Sequence, residues 1–175
     1  MHKADERRDA TILVINTVQD IEKEKLKQVF PSAEIADTYN CNIGHCLGCN
    51  SCWIKTPGKC VIKDDYDILF QKILKADKVV FISEEKLGMV SYNLKNIIDR
   101  LIPLVMPYTC IKNGQARHAP RYNKSWEFML VVPKSEDITY LEHWMKRVAI
   151  NFHSQSTGVY LLADKERIHN EIYNY

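Results

Sequence analysis

ATILVIN, residues 10–16, is an unbroken apolar run of about one strand's length. A strand with one wet face alternates apolar and polar residues, whereas a strand covered on both faces of a parallel sheet does not. The same signature returns in KVVFIS at 78–83 and FMLVV at 128–132, with shorter candidates at 33–37 and 158–162. Helical patterns separate these runs. Residues 20–30 place Ile21, Leu26 and Val29 on one side and end at Pro31. Asp64 and Asp65 open a second helix, where carboxylates suit the positive end of the dipole, and Ile68, Leu69, Ile73 and Leu74 form its expected buried stripe. Ser91 caps a third helix with Leu94, Ile97, Ile98 and Leu101 at core spacing before Pro103. Residues 106–124 read as a long polar connection, 137–155 as a long helix and the tail from Asp164 as a last one. Strict alternation of strand and helix predicts a three-layer α/β/α sandwich around a doubly wound, five-stranded parallel sheet. Ligands in such sheets sit beyond the carboxyl ends of the strands, so the loops after the first, third and fourth strands are expected to share one edge.

Bulk properties bound the function. The 175 residues suit one domain, read as 10–175 behind a polar leader at 1–9. With 24 basic against 22 acidic residues the net charge is +2, and the basic residues are scattered. Nothing there calls for nucleic acid or a membrane. The leader lacks the apolar core of a signal peptide, so the expected location is cytoplasmic.

Cys46, Cys49, Cys52 and Cys60 stand in CLGCNSCWIKTPGKC, spaced C-x2-C-x2-C-x7-C. Thiolates repeating every third residue can converge on one point, and a fourth arriving after the Pro57-Gly58 turn can close the shell. The spacing suits an iron–sulfur cluster or zinc. It is equally compatible with unmetallated thiols or a redox-labile pair such as Cys49 and Cys52. Cys41 and Cys110 lie outside the compact run.

Three pieces, CLGCNSCWIKTPGKCVIKDDYDIL, ADKVVFIS and SYNLKNIIDR, together resemble the flavodoxin-like NAD(P)H-dependent FMN reductases, and among them the iron–sulfur flavoproteins. A fourth, NGQARHAPRY at 113–122, is similar to a later loop of that group. The resemblance implies an FMN with its phosphate on the loop after the first strand, at Asn16 and Thr17, and its ring against Ser83, Glu84, Glu85, Lys86, Leu87, Gly88 and Met89. It further implies a 4Fe-4S cluster on Cys46, Cys49, Cys52 and Cys60, NAD(P)H as electron donor, a small-molecule acceptor, and a homodimer or homotetramer. Hydride chemistry belongs to the flavin, so no side chain is named as catalytic.

Two loops depart from the family's pattern. After the first strand the chain reads NTVQDIEKE: Thr17 is the one hydroxyl, glycine is absent, and Asp20, Glu22 and Glu24 bring negative charge where a phosphate dianion is expected. In the ring loop, Ser83, Glu84, Glu85 and Lys86 stand where relatives carry a Thr-Pro-x-Tyr pattern. These departures support an alternative, a flavin-free member acting as a metal-binding, thiol-redox or interaction module.

Other polar residues have plainer readings. Arg117, His118, Arg121 and Tyr122 are expected near the ligand edge, where Arg can clamp a phosphate or a nicotinamide cofactor, or else on a solvated loop. Asp99 and Arg100 read as a helix-end ion pair. His143, His153 and His169 read as packed or solvated side chains. Tyr140, Leu141, Trp144, Met145 and Val148 recur at helical spacing as core or subunit interface.

Overall fold

Five strands lie side by side in the order β2 (Glu34–Asp37), β1 (Ile12–Asn16), β3 (Lys78–Ile82), β8 (Glu127–Val132), β9 (Gln155–Leu161), all parallel. The computed structural model describes residues 10–112 and 114–173; the leader at 1–9, Asn113 of the fourth family-like piece, and residues 174–175 lie outside the described residues. The intervening helices are α1 (Lys23–Val29), α2 (Ser51–Ile54), α3 (Tyr66–Lys75), α4 (Tyr92–Asp99), α5 (Thr139–Asn151) and α6 (Lys165–Tyr173).

The unbroken apolar runs have the cause expected of them. Leu13, Ile15, Val79, Phe81, Phe128 and Leu130 point into one core beneath α3, α4 and α5. Their neighbours Ile12, Val14, Val80, Ile82, Met129 and Val131 point into a second core with Leu26 and Val29 of α1 and Ile168 and Ile172 of α6. Both sheet faces are therefore dry, the arrangement of a three-layer sandwich. Phe81 and Phe128 meet edge to face at 5.5 Å, and the Trp126 indole N–H donates to the Ile73 carbonyl at 2.8 Å.

Several boundaries differ from expectation, each for a local reason. Residues 106–124 are not a polar connection: most of them form a hairpin of β6 (Val105–Lys112) and β7 (Gln115–Pro120). A second small hairpin, β4 (Glu85–Lys86) with β5 (Met89–Val90), occupies the loop after β3. Ile68 is exposed and Phe70 takes its place in the buried stripe of α3, beside Tyr66, Leu69 and Ile73. β9 begins three residues before Gly158, because that glycine sits at a register shift inside the strand at φ +124 rather than at its start. A Cβ there would lie 2.9 Å from the Tyr160 hydroxyl. Ser91 caps α4 as read, its oxygen accepting from the Leu94 amide. Tyr140 is exposed, while Leu141, Met145 and Val148 are core. Among the described residues no helix is long and apolar enough to cross a membrane.

Candidate functional site

The carboxyl edge of the sheet carries a cleft of about 1410 Å³, lined by the loops after β1, β3, β8 and β9. Its walls include Val18, Asp20, Ile21 and Lys25 from the first loop, Glu84, Glu85, Lys86 and Gly88 from the third, and Lys134 to Asp137 from the eighth strand's loop. The volume exceeds the roughly 300–1,000 Å³ usual for small-ligand sites. Five carboxylates (Asp20, Glu84, Glu85, Glu136, Asp137) face four lysines (Lys25, Lys86, Lys134, Lys165), so the lining is close to neutral. One of those lysines, Lys86, is already paired with Glu84 at 2.8 Å.

Only part of the expected binding set reaches this cleft. Asn16 is fully buried and braces the strand ends, donating to Asp37 at 2.9 Å and accepting from the Val18 amide at 3.0 Å. The Thr17 hydroxyl donates to the Ile82 carbonyl at 2.8 Å, so the loop's one hydroxyl is committed inside the sheet edge. Ser83 is buried as well, and its hydroxyl donates to the Glu84 carbonyl at 2.8 Å with the Ser91 hydroxyl 3.0 Å away. Leu87 points fully into solvent from the β4–β5 turn, and neither it nor Met89 lines the cleft. Asn16, Thr17 and Ser83 thus form the floor that fixes the loops. The facing side chains of these two loops are those of Val18, Asp20, Ile21 and Glu84 to Lys86.

The four clustered cysteines line a separate pocket of about 510 Å³ that shares no residue with the cleft. Trp53, Ile98, Ile102, Trp144 and Phe152 supply its apolar walls. The pocket therefore abuts the later turns of α4 and α5, rather than the loops of the carboxyl edge. All six cysteines are free thiols. Among the described residues no group of three or more His, Cys, Asp or Glu side chains is already gathered at metal-binding geometry. The thiols nonetheless feel one another. Burial, then the charges of Cys60 and Cys46, push the Cys52 thiol up, whereas a hydrogen bond with Ser51 pulls the exposed Cys49 thiol down.

A neck closes this excursion on itself. The Asn42 amide donates to the Asp65 carboxylate at 2.8 Å, the Asp65 amide to the Asn42 carbonyl at 3.1 Å, and the Gly44 amide to the Asp64 carboxylate at 2.9 Å. Asp64 also meets Arg100 at 2.5 Å, with side-chain exposures of 4% and 1%. Arg100 in turn donates to the Gly44 carbonyl at 3.2 Å. The partner of Arg100 is therefore Asp64 and not Asp99, which pairs with Lys95 one helical turn earlier at 2.5 Å. Residue spacing carries no sign of a pair 36 positions apart. Burial would raise the Asp64 carboxyl's pKa, but the hydrogen bonds from Arg100 and Gly44 outweigh it and hold the group below its ordinary value.

Arg117, His118, Arg121 and Tyr122 do not line the cleft; they fasten the β6–β7 hairpin beside the thiol loop. Arg121 donates to the Pro103 carbonyl at 3.0 Å, Arg117 to the Asn151 side chain at 2.6 Å, and the His118 ring lies tilted by 47° against Trp53 with centroids 4.7 Å apart. Gly58, at φ +82, lets the thiol loop pass under Arg121 and Tyr122, which a Cβ would approach to 3.2 Å.

A doubly wound, five-stranded parallel sheet with its cleft at the carboxyl edge is the flavodoxin-like fold. An NAD(P)H:quinone oxidoreductase from Methanothermobacter marburgensis superposes with a TM-score of 0.61 at 12% identity, over 96% of this chain and all 100% of that one. An azoreductase from Bacillus anthracis gives 0.54 at 13% identity, over 93% and 92%. In sequence the chain is similar to an iron–sulfur flavoprotein of Methanocaldococcus jannaschii, 36% identical over 96 residues, 55% of this chain and 46% of that protein. An iron–sulfur flavoprotein of Archaeoglobus fulgidus is 34% identical over 77 residues, 44% and 37% of the two chains. The chain thus spans about half or less of the length of these curated relatives in the matched region. No family model matches it.

Proposed function

We infer that this chain is a flavodoxin-like oxidoreductase that binds FMN in the carboxyl-edge cleft and an electron-carrying metal centre in the thiol pocket. The observation that supports it most directly is the coexistence on one chain of that cleft, at the position the fold reserves for a ligand, and four free cysteines around one apolar-walled pocket. Bound FMN supplies hydride acceptance and electron release. The chain's own residues bind and tune. Lys25, Lys134 and Lys165 are the cations available to a phosphate, in place of the hydroxyl-rich nest that Thr17 does not provide. Glu84 and Glu85 disfavour added negative charge on a neighbouring ring. Cys46, Cys49, Cys52 and Cys60 would hold a 4Fe-4S cluster or a tetrathiolate metal; the donor set is right and the walls are apolar, and closing the shell requires the loop to draw the sulfurs together. NAD(P)H fits as donor and a small molecule as acceptor.

A second reading, a flavin-free metal or thiol module, draws on the inward commitment of Thr17 and Ser83 and the carboxylates on the cleft wall. Purification without air, a visible spectrum, and iron, zinc and sulfide analysis separate the two. A two-band yellow chromophore beside a broad brown shoulder that Cys49→Ser removes is expected. A colourless protein that takes up no FMN would leave only the second reading.

A further inference from the structure

The β6–β7 hairpin and the end of α5 enclose a small pocket of about 270 Å³, lined by Lys112, Gln115, Arg117, Ile150, His153 and Ser154. It shares no residue with the cleft or the thiol pocket. Tyr140 on the cleft wall and Ile150 here stand near opposite ends of α5, about 15 Å apart at the helical rise, so the two sites are separate.

Positive charge without a carboxylate to neutralise it sets this pocket apart. Arg117 is only 8% exposed, and a buried arginine ordinarily has an acidic partner. The other buried guanidinium, Arg100, has Asp64. Arg117 instead donates to two neutral side-chain oxygens, those of Asn151 and Gln115. The same Gln115 oxygen accepts from Arg147 at 3.0 Å, so one amide serves two guanidinium groups. Among the described residues no carboxylate forms an ion pair with Lys112, Arg117 or Arg147.

The end of α5 does not account for these cations. Its last carbonyls are taken by backbone, Ile150 by the His153 amide at 3.2 Å and Ala149 by the Ser154 amide at 2.8 Å, in a Schellman closure. His153 holds the left-handed position of that closure at φ +54, and its Nε2–H donates to the His118 carbonyl at 2.6 Å. The helix dipole brings about half a negative charge against three full cations. A phosphate group, at about −1.5 to −2 near neutral pH, closes the balance better than a single carboxylate. Guanidinium forks match its oxygens, and a pocket just below the roughly 300–1,000 Å³ of ordinary ligand sites suits a compact head group.

We propose that this pocket binds a phosphate dianion, free or as the terminal group of a phosphate ester, on Lys112 and Arg117 with Arg147 as the flanking cation. The site requires neither flavin nor metal to be present.

The test is calorimetric titration of the full chain with inorganic phosphate in a phosphate-free buffer, against sodium chloride at matched ionic strength. One site is expected, and Lys112→Gln and Arg147→Gln should each weaken it about 10-fold or more. Both positions are exposed, so the phosphate-free variants should melt close to wild type. Lys112→Arg keeps the charge and should retain binding. Adenosine 5′-monophosphate binding more tightly than phosphate would assign an ester, and binding no more tightly would assign the free ion. No heat beyond that of sodium chloride would overturn the proposal. Wild-type affinity in both glutamine variants would do the same, and so would a loss confined to Lys134→Gln, which would move the phosphate to the cleft.

Discussion

Asp64 holds both the backbone that leads into Cys46 and the Arg100 guanidinium, so removing its carboxylate should open the neck and strand a buried cation together. Asp64→Ala is expected to cost about 3–5 kcal/mol, read by chemical denaturation, because the loss of one partner leaves the other charge uncompensated. The pH dependence follows from the same contacts. The folded pKa of Asp64 lies below its unfolded value, so its contribution is fully present above the ordinary carboxylate pKa of about 3.9. It fades as pH falls through the lower, folded value. An acid titration of wild type against Asp64→Asn should show the difference shrinking in that window; a gap unchanged down to the most acidic point would contradict it. The thiol spacing is legible residue by residue, and so is the Ser91 cap. The Asp64–Arg100 pair is not, because an ion pair between a loop end and a helix end leaves no periodic trace.

Turn chemistry decides how far single elements can be read. The β6–β7 hairpin escapes the sequence reading although a signal stands in the chain, an Asn-Gly pair in the sequence after Tyr108, Thr109, Cys110 and Ile111; polar residues and two prolines mask it. The β4–β5 turn gives no such signal. It places Leu87 at φ +54 beside Gly88 at φ +76, a left-handed pair in which leucine is poorly suited and its side chain is fully exposed. Leu87→Asn should raise stability by about 1 kcal/mol, measured as a shifted denaturation midpoint. Gly158→Ala should act in the opposite sense by more than about 1 kcal/mol, since φ +124 and the Tyr160 hydroxyl both exclude a Cβ. The buried strands need no such help: covering both faces of a parallel sheet forces an unbroken apolar run, and such a run is plain in the order of the residues themselves.

For the molecule as a whole, the decisive quantity is whether the carboxyl-edge cleft takes a flavin despite its near-neutral lining. At about one hundred times its dissociation constant, FMN should add about 2.7 kcal/mol, or roughly 5–10 °C in melting temperature for a chain of this size. A scan unchanged by FMN would assign the cleft to another ligand. The position of the cleft is legible, because topology alone sends the loops after β1, β3 and β8 to one edge. The separation of the thiols from it is not, since nothing in the Cys46–Cys60 spacing tells how far the excursion folds along α4 and α5.

The pinch at Asn42, Gly44, Asp64 and Asp65 closes the intervening span into a cassette, whose further anchorage is chiefly Trp53, on the Val105 carbonyl and His118. Replacing residues 45–63 with a short glycine-containing turn should leave a secondary-structure spectrum of the same shape and any yellow colour intact, while any brown colour that the wild-type chain takes on with iron and sulfide should be lost. A chain shortened in this way keeps all five strands of the sheet and is expected to fold.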